Sequence, residues 1–312
     1  MATKKAAPKK STSVKKSVAT KPASAVKVTK KKTVGELAAA LRPGALIAEL
    51  VGTFVLTATV INLATNTNFG VVGIALVLAI LVVIFGIVSG AHLNPAITIA
   101  QYLNRKVDGV KAVAYIVSQV LGAILALAVL SGMLQANWNF HAAVQKAVES
   151  AGVGISSTDI KEAGGIEKWA ETYGGIDAVA TQVGVKNEAP TTFTVDKVTE
   201  GKEWVTFLAE MMGAIVFGLG VGYAVFGRSK SRIESGLAVG LGLLAGLVIG
   251  GSAVILNPAV AGAIGAFHWA NPFSADAATF WWPVLVYILG PTIGMTIGVT
   301  VYRFILRDVE AE

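Results

Sequence analysis

The 312-residue chain has no cysteine, which excludes a disulfide framework, a thiol nucleophile and a thiolate metal site. Histidine is nearly as scarce: His92, His141 and His268 are scattered without metal-ligand spacing, so neither a metal nor a cofactor is expected. Charged residues make up only 14% of the chain against 54% hydrophobic ones, and the mean hydropathy of +0.66 is too apolar for one soluble domain. Acid is missing altogether from Met1 to Lys32, a stretch with eleven lysines whose Lys-Ala-Pro-Ser-Thr composition cannot bury a core. Residues 1–33 are therefore read as a disordered tail. It has no apolar run of the signal-peptide kind after its lysines, and no aromatic residue to stack on bases, so nucleic acid is not an expected partner. The tail serves either as a solvated cytoplasmic segment that helps to set topology or as a contact for anionic lipid headgroups, at up to about 1 kcal/mol per lysine near the surface. Nothing pairs a nucleophile with a base, and the Gly-rich segments lie inside apolar runs, so no enzyme is expected.

What the chain does have is length of apolar run. Six stretches are long enough to cross a bilayer: 44–64, 71–88, 112–134, 204–226, 237–249 with some extension, and 280–302. Basic residues gather on alternate connections, at the tail, at Arg105, Lys106 and Lys111, at Arg228, Lys230 and Arg232, and at Arg303 and Arg307. The positive-inside rule then places both termini in the cytoplasm.

One short stretch organises the rest. Ser89 to Thr98 reads Ser-Gly-Ala-His-Leu-Asn-Pro-Ala-Ile-Thr, and Leu256 to Val260 echoes it as Leu-Asn-Pro-Ala-Val. In each, Asn94 or Asn257 stands where a helix N-cap belongs, Pro95 or Pro258 where the first helical residue belongs, and Ala96 or Ala259 follows. The apolar residues that follow end at Leu103 and near Ala266, about nine residues or roughly 13 Å of helix. That is less than half of a bilayer core of about 30 Å. Lipid cannot hydrogen-bond an unwound backbone, so two half-helices with polar caps require a cavity between them. Asn271-Pro272, by contrast, reads as a surface turn.

The two halves repeat one another. Ala48-Glu49-Leu50-Val51-Gly52 opens one and Ala209-Glu210-Met211-Met212-Gly213 the other; Asn94 follows Glu49 by 45 residues, and Asn257 follows Glu210 by 47. Tyr115, Ile116 and Gly122 match Tyr287, Ile288 and Gly294. With three spans per half the second must enter from the opposite side, which makes an inverted repeat. The expected organisation is a tail (1–33), a first half (34–134), an extracytoplasmic insert (135–203), a second half (204–306) and a short cytoplasmic end (307–312). The insert carries ten acidic and six basic residues; 142–150 reads as an amphipathic helix and 191–198 as extended. A loop of that length serves either as a lid over the outer mouth or as a tethered surface element. Small residues at four-residue spacing, such as Gly290, Gly294 and Gly298, are read as helix-packing positions.

Chemically, this leaves permeation. Two facing helix N-termini sum to a positive potential of roughly half a charge each, which a neutral solute passes and a cation does not. Each cap Asn can accept from its own helix and leave its NH2 as a donor towards the pore. Glu49 and Glu210 are ionisable groups within spans; they serve either as proton-coupling carboxylates or as acceptors for the N–H groups of the unwound turns, and the lack of an in-span cation favours the second role. His92 is read as a hydrogen-bonded wall residue.

Ala-Glu-x-x-Gly in each half, Ser-Gly-Ala-His-Leu-Asn-Pro-Ala, the second Asn-Pro-Ala and Gly290-Pro291 together resemble the major intrinsic protein family, the aquaporins and glycerol facilitators, over roughly residues 45–303 apart from the insert. The resemblance implies an all-α membrane protein with six transmembrane helices and two re-entrant half-helices in an inverted repeat. It further implies a homotetramer with one pore per subunit, passive diffusion of water or small neutral solutes, and Glu49 and Glu210 as braces of the re-entrant loops.

Departures from the family pattern concern the selectivity filter. Val260 stands where the family usually has arginine, and Ala261 where glycerol facilitators usually have aspartate. The remaining filter positions fall on Ile74, on Val254 and on Leu243, with Ala245 as the alternative register. A fixed positive charge about 5 Å from a permeant cation supplies a barrier of roughly 3 kcal/mol at an effective dielectric of 20, and Val260 removes it. The expected function is a passive channel for water or small uncharged solutes with an aliphatic filter. Two rivals stand beside it: a proton- or ion-coupled secondary transporter using Glu49 and Glu210, and a non-conducting structural membrane protein.

Overall fold

The computed structural model describes Met1, Thr33 and residues 35–36, 41–63, 70–136, 138–151, 155–187, 202–228, 231–251, 254–264 and 283–311. Among the described residues the regular structure is helical throughout. The membrane-length elements are α1 (Pro43–Leu63), α4 (Gly109–Ala136), α9 (Glu203–Phe226), α10 (Arg232–Gly250) and the last one, which begins as a π-turn at Leu285–Leu289 and continues as α12 (Gly290–Ala311). These five are long and apolar enough to cross a bilayer. The remaining apolar run, 71–88, becomes α2 (Gly70–Phe85), 16 residues and so about 24 Å, because the chain leaves the helix at Gly86 two residues before the apolar run ends.

Local chemistry explains the boundaries. Proline begins α1, α3 (Pro95–Leu103) and α11 (Pro258–Ala263), where a missing N–H costs nothing. Ser231 and Glu234 form a reciprocal capping box ahead of α10. In the last span Pro291 has no N–H to give, and the turn before it widens, with the Gly290 N–H reaching back five residues to the Leu285 carbonyl.

Packing follows the repeat. Helix α1 lies against α4 as α9 lies against α12, while α2 pairs with α10 across the two halves. Each half-helix is held by the opposite half: α3 packs on α12, and α11 on α4. Glycine lets backbones touch in these seams; a Cβ at Gly240 would stand 2.6 Å from the Ala75 carbonyl oxygen. The outward faces are aliphatic and uncovered, as at Ile80, Ile84, Val113 and Val117, which suits lipid as the surrounding solvent.

The insert is more ordered than its polarity suggests. Four short helices, α5 (Phe140–Ser150), α6 (Ser157–Glu162), α7 (Ile166–Glu171) and α8 (Ile176–Gln182), enclose their own core of Val144, Val148, Ile160, Ala170 and Val179. The amphipathic helix read at 142–150 starts two residues earlier, where the Asn139 side chain caps it. Gly164, Gly174 and Gly184, ten residues apart, take φ of +91°, +91° and +70° and end three successive helices. After each, an N–H bonds back five residues, to Ile160, Ala170 and Ala180. The extended segment read at 191–198 lies outside the described residues, whereas the second half-helix, read as reaching to near Ala266, ends at Ala263, 6 residues and so about 9 Å long, with Ile264 at its C-cap.

Candidate functional site

Both Asn-Pro-Ala triplets open helices whose N-termini abut. Asn94 caps α3 by accepting from the Ala96 N–H at 2.8 Å, and Asn257 caps α11 by accepting from Ala259 at 3.1 Å and Val260 at 3.4 Å. Their amides then cross: the Asn94 NH2 donates to the Leu256 carbonyl at 2.8 Å and the Asn257 NH2 to the Leu93 carbonyl at 3.0 Å. Sequence reasoning left both NH2 groups free for a permeant. The cross-bonds take one hydrogen of each and leave the second, since a primary amide has two.

The unwound turns ahead of these caps are held from behind. Leu93 and Leu256, each just before its Asn, are fully buried at φ of +51° and +59°, a conformation costing about 1–3 kcal/mol in a non-glycine residue. Their side chains fill the space left by Gly52 and Gly213, so the glycine of each Ala-Glu-x-x-Gly is a seat for the leucine of its own half. The glutamate one turn earlier takes the strained N–H groups. Glu49 accepts from His92 N at 2.9 Å and Leu93 N at 2.7 Å; Glu210 accepts from Ile255 N at 2.6 Å and Leu256 N at 3.0 Å. Both carboxylates are fully buried.

A cavity of about 380 Å3 begins at this junction and runs to the side on which α1 ends and α2 begins. Ile74, Leu243, Val254 and Val260 all line it, together with Asn94 and Asn257. Ala245, the alternative to Leu243, is not among its described lining residues; Leu247, one turn on from Leu243, is. Only His92, Asn94 and Asn257 bring polar side chains to this wall among the described residues. A second cavity of about 350 Å3 opens on the opposite side, with Gln101, Ser231, Arg232 and Ser235 at its polar positions. Ile97, in the first turn of α3, lines both. Val260 is buried among Ile61, Val60, Leu127 and Ile264.

Three participants escaped sequence reasoning. Gln119, buried in α4, donates to Glu49 at 2.8 Å and to the Thr98 hydroxyl at 2.9 Å, and Thr98 in turn contacts His92 Nδ1 at 3.1 Å. Tyr115 donates to the Ser89 carbonyl at 2.8 Å and meets the His92 ring edge-on at 5.1 Å. The signal for Gln119 was in view: it is the one amide inside an otherwise apolar span of 112–134. In the second half its place is taken by Pro291, so Glu210 lacks this partner and the two braces are unequal. Among the described residues no cluster of three or more metal-ligating side chains occurs.

Comparison with known proteins gives the same picture. The model of the major intrinsic protein family matches residues 36–159. Glycerol uptake facilitator protein-like 6 of Lactiplantibacillus plantarum is 41% identical over 96 residues, covering 29% of this chain and 44% of that protein. Aquaporin Z of Photorhabdus laumondii is 41% identical over 95 residues, covering 27% and 41%. These matches thus span less than half the length of either relative. Aquaporin AqpM of Methanothermobacter marburgensis extends further, at 24% identity over 76% of this chain and 77% of its own. The X-ray structure of the aquaglyceroporin from Plasmodium falciparum superposes with a TM-score of 0.50 at 18% identity, over 85% of this chain and 97% of that one, which shows a shared fold. With the doubled Asn-Pro-Ala junction, its glutamate braces and five membrane-length helices, these matches describe a multi-pass integral membrane protein whose residues 36–159 match the major intrinsic protein family.

Proposed function

We propose that this protein is a passive transmembrane channel for water and small uncharged solutes. One observation carries the reading: two half-helices meet N-terminus to N-terminus, their cap amides cross-bonded, with a cavity on either side. The positive ends of both helices repel a cation at the junction, while the second hydrogen of each Asn NH2 remains to greet a permeant oxygen. The relatives include both aquaporins and a glycerol uptake facilitator-like protein, in keeping with water or a small polyhydroxy solute as cargo.

The wall beyond the junction is a filter of Ile74, Leu243, Val254 and Val260, and every member is aliphatic. Without a cation at Val260, exclusion of protons and metal ions falls on the helix ends alone. Glu49, Glu210 and His92 act as braces and wall, with no place in coupling. The two channel halves, 34–134 and 204–306, flank an extracytoplasmic insert; both termini are cytoplasmic, an orientation that the positive connections support. Four copies assemble with one pore each, and the lysine-rich tail associates with anionic headgroups of the inner leaflet.

Stopped-flow light scattering on proteoliposomes tests the reading. Expected is protein-dependent, gradient-following flux of water, glycerol or urea with no accompanying proton leak. Flux against a solute gradient driven by pH would replace the channel with a coupled transporter, and flux no greater than that of protein-free vesicles would leave a structural membrane protein.

A further inference from the structure

Resting on the channel reading, the geometry points to a more definite permeant: we infer that the cavity beside the filter selects small neutral solutes with a hydrocarbon body and few hydroxyls over polyols of the same carbon count. At about 380 Å3 it has the size of a small-molecule site, not of a single water file. Its polar side chains, His92, Asn94 and Asn257, lie together at the Asn-Pro-Ala junction. From there to Leu63 and Val71 the described wall is aliphatic apart from Phe217, so a solute meets hydrogen-bonding side chains at one end only.

The consequence is a preference set by desolvation. A polyol must lose water from hydroxyls along its whole length, and each hydroxyl left without a partner slows passage by about fivefold to a hundredfold. A solute whose polar groups sit at one end can place them at the two amides while its methylenes lie along Leu243, Val254 and Val260. Each methylene so covered favours occupancy by up to about fourfold. The cross-bonded amides sharpen the effect, because each Asn offers one hydrogen and not two.

The experiment compares glycerol with 1,2-propanediol and erythritol with 1,2-butanediol in proteoliposomes of the full chain, each rate corrected for protein-free vesicles of the same lipid. Expected is a protein-dependent rate at least about tenfold higher for the diol of each pair. Val254→Thr and Val260→Thr each add a hydroxyl to the wall at nearly constant volume and lower that ratio several-fold. Two variants guard against one that fails to fold. A ratio at or below one, or a ratio unaltered in both threonine variants, overturns the inference while water and glycerol flux leaves the channel standing. No protein-dependent flux of water or any solute overturns both.

Discussion

Replacing Glu49 with glutamine removes one acceptor from a site that has no spare. The carboxylate receives the His92 and Leu93 N–H groups and the Gln119 NH2 at 2.7–2.9 Å, all within the protein. A glutamine keeps one oxygen and sets an NH2 against a backbone N–H, so at least one buried donor is orphaned, at about 1–3 kcal/mol. Hydrogen bonds to a charged acceptor are worth about 1.5–3 kcal/mol against about 1 for neutral ones, so those that remain weaken as well. Leu93, at φ +51°, then loses the partner that holds it in a strained conformation. The sum is about 3 kcal/mol, or roughly 5 °C in the unfolding midpoint of a protein this size. Thermal unfolding in detergent, followed by intrinsic fluorescence, measures it directly. Flux per folded molecule should fall together with stability and show no new pH dependence. A Glu49→Gln variant that unfolds within about 2 °C of wild type, yet loses a pH-driven component of transport, would refute the bracing role and assign the carboxylate to proton coupling.

Further expectations concern other parts of the molecule. Gly213→Ala places a Cβ 2.6 Å from the Gly246 carbonyl oxygen and 3.0 Å from Leu256 Cδ2, and should cost about 1–3 kcal/mol or more in the same melt; Gly132→Ala, with nothing within 4 Å, should cost nothing. Val260→Arg should lower any cation leak by about two orders of magnitude and cut flux of the larger solutes, and an unchanged solute ranking would show that Val260 is not at the filter. Ile160→Ala, in the core of the insert, should cost about 2–5 kcal/mol locally; hydrogen exchange should rise across 140–187 while α1 and α9 stay protected.

How far the sequence reaches depends on the distance over which each feature is encoded. Membrane-length apolar runs and the Asn-Pro start of a half-helix are local signals, so α1, α3 and α9 lie where the residues place them, within a residue or two. The shorter reach of α2 was not legible, because Ile87 and Val88 continue the apolar run after the helix has turned at Gly86. Glu49 and Glu210 were identifiable as buried carboxylates from matched positions in the repeat. The crossing of the two amides was not, since it joins residues more than 160 apart through backbone carbonyls that composition does not distinguish. Gln119 was missed for a related reason: one amide in a largely apolar span gains meaning only when Glu49 and Thr98 are seen beside it. In the insert, attention to charge hid a ten-residue spacing of Gly164, Gly174 and Gly184 that marks three helix ends.

The lack of cysteine makes the central claim directly testable by single-cysteine chemistry. Val260→Cys sets one thiol, at nearly constant side-chain volume, in the wall of the cavity beside the Asn94–Asn257 junction. Proteoliposomes of this variant should lose most of their protein-dependent solute flux on adding a small mercurial and regain it with excess thiol, while the wild-type chain stays insensitive. Full labelling of the cysteine with flux undiminished would contradict the account, because solute would then be crossing somewhere other than between the two half-helices.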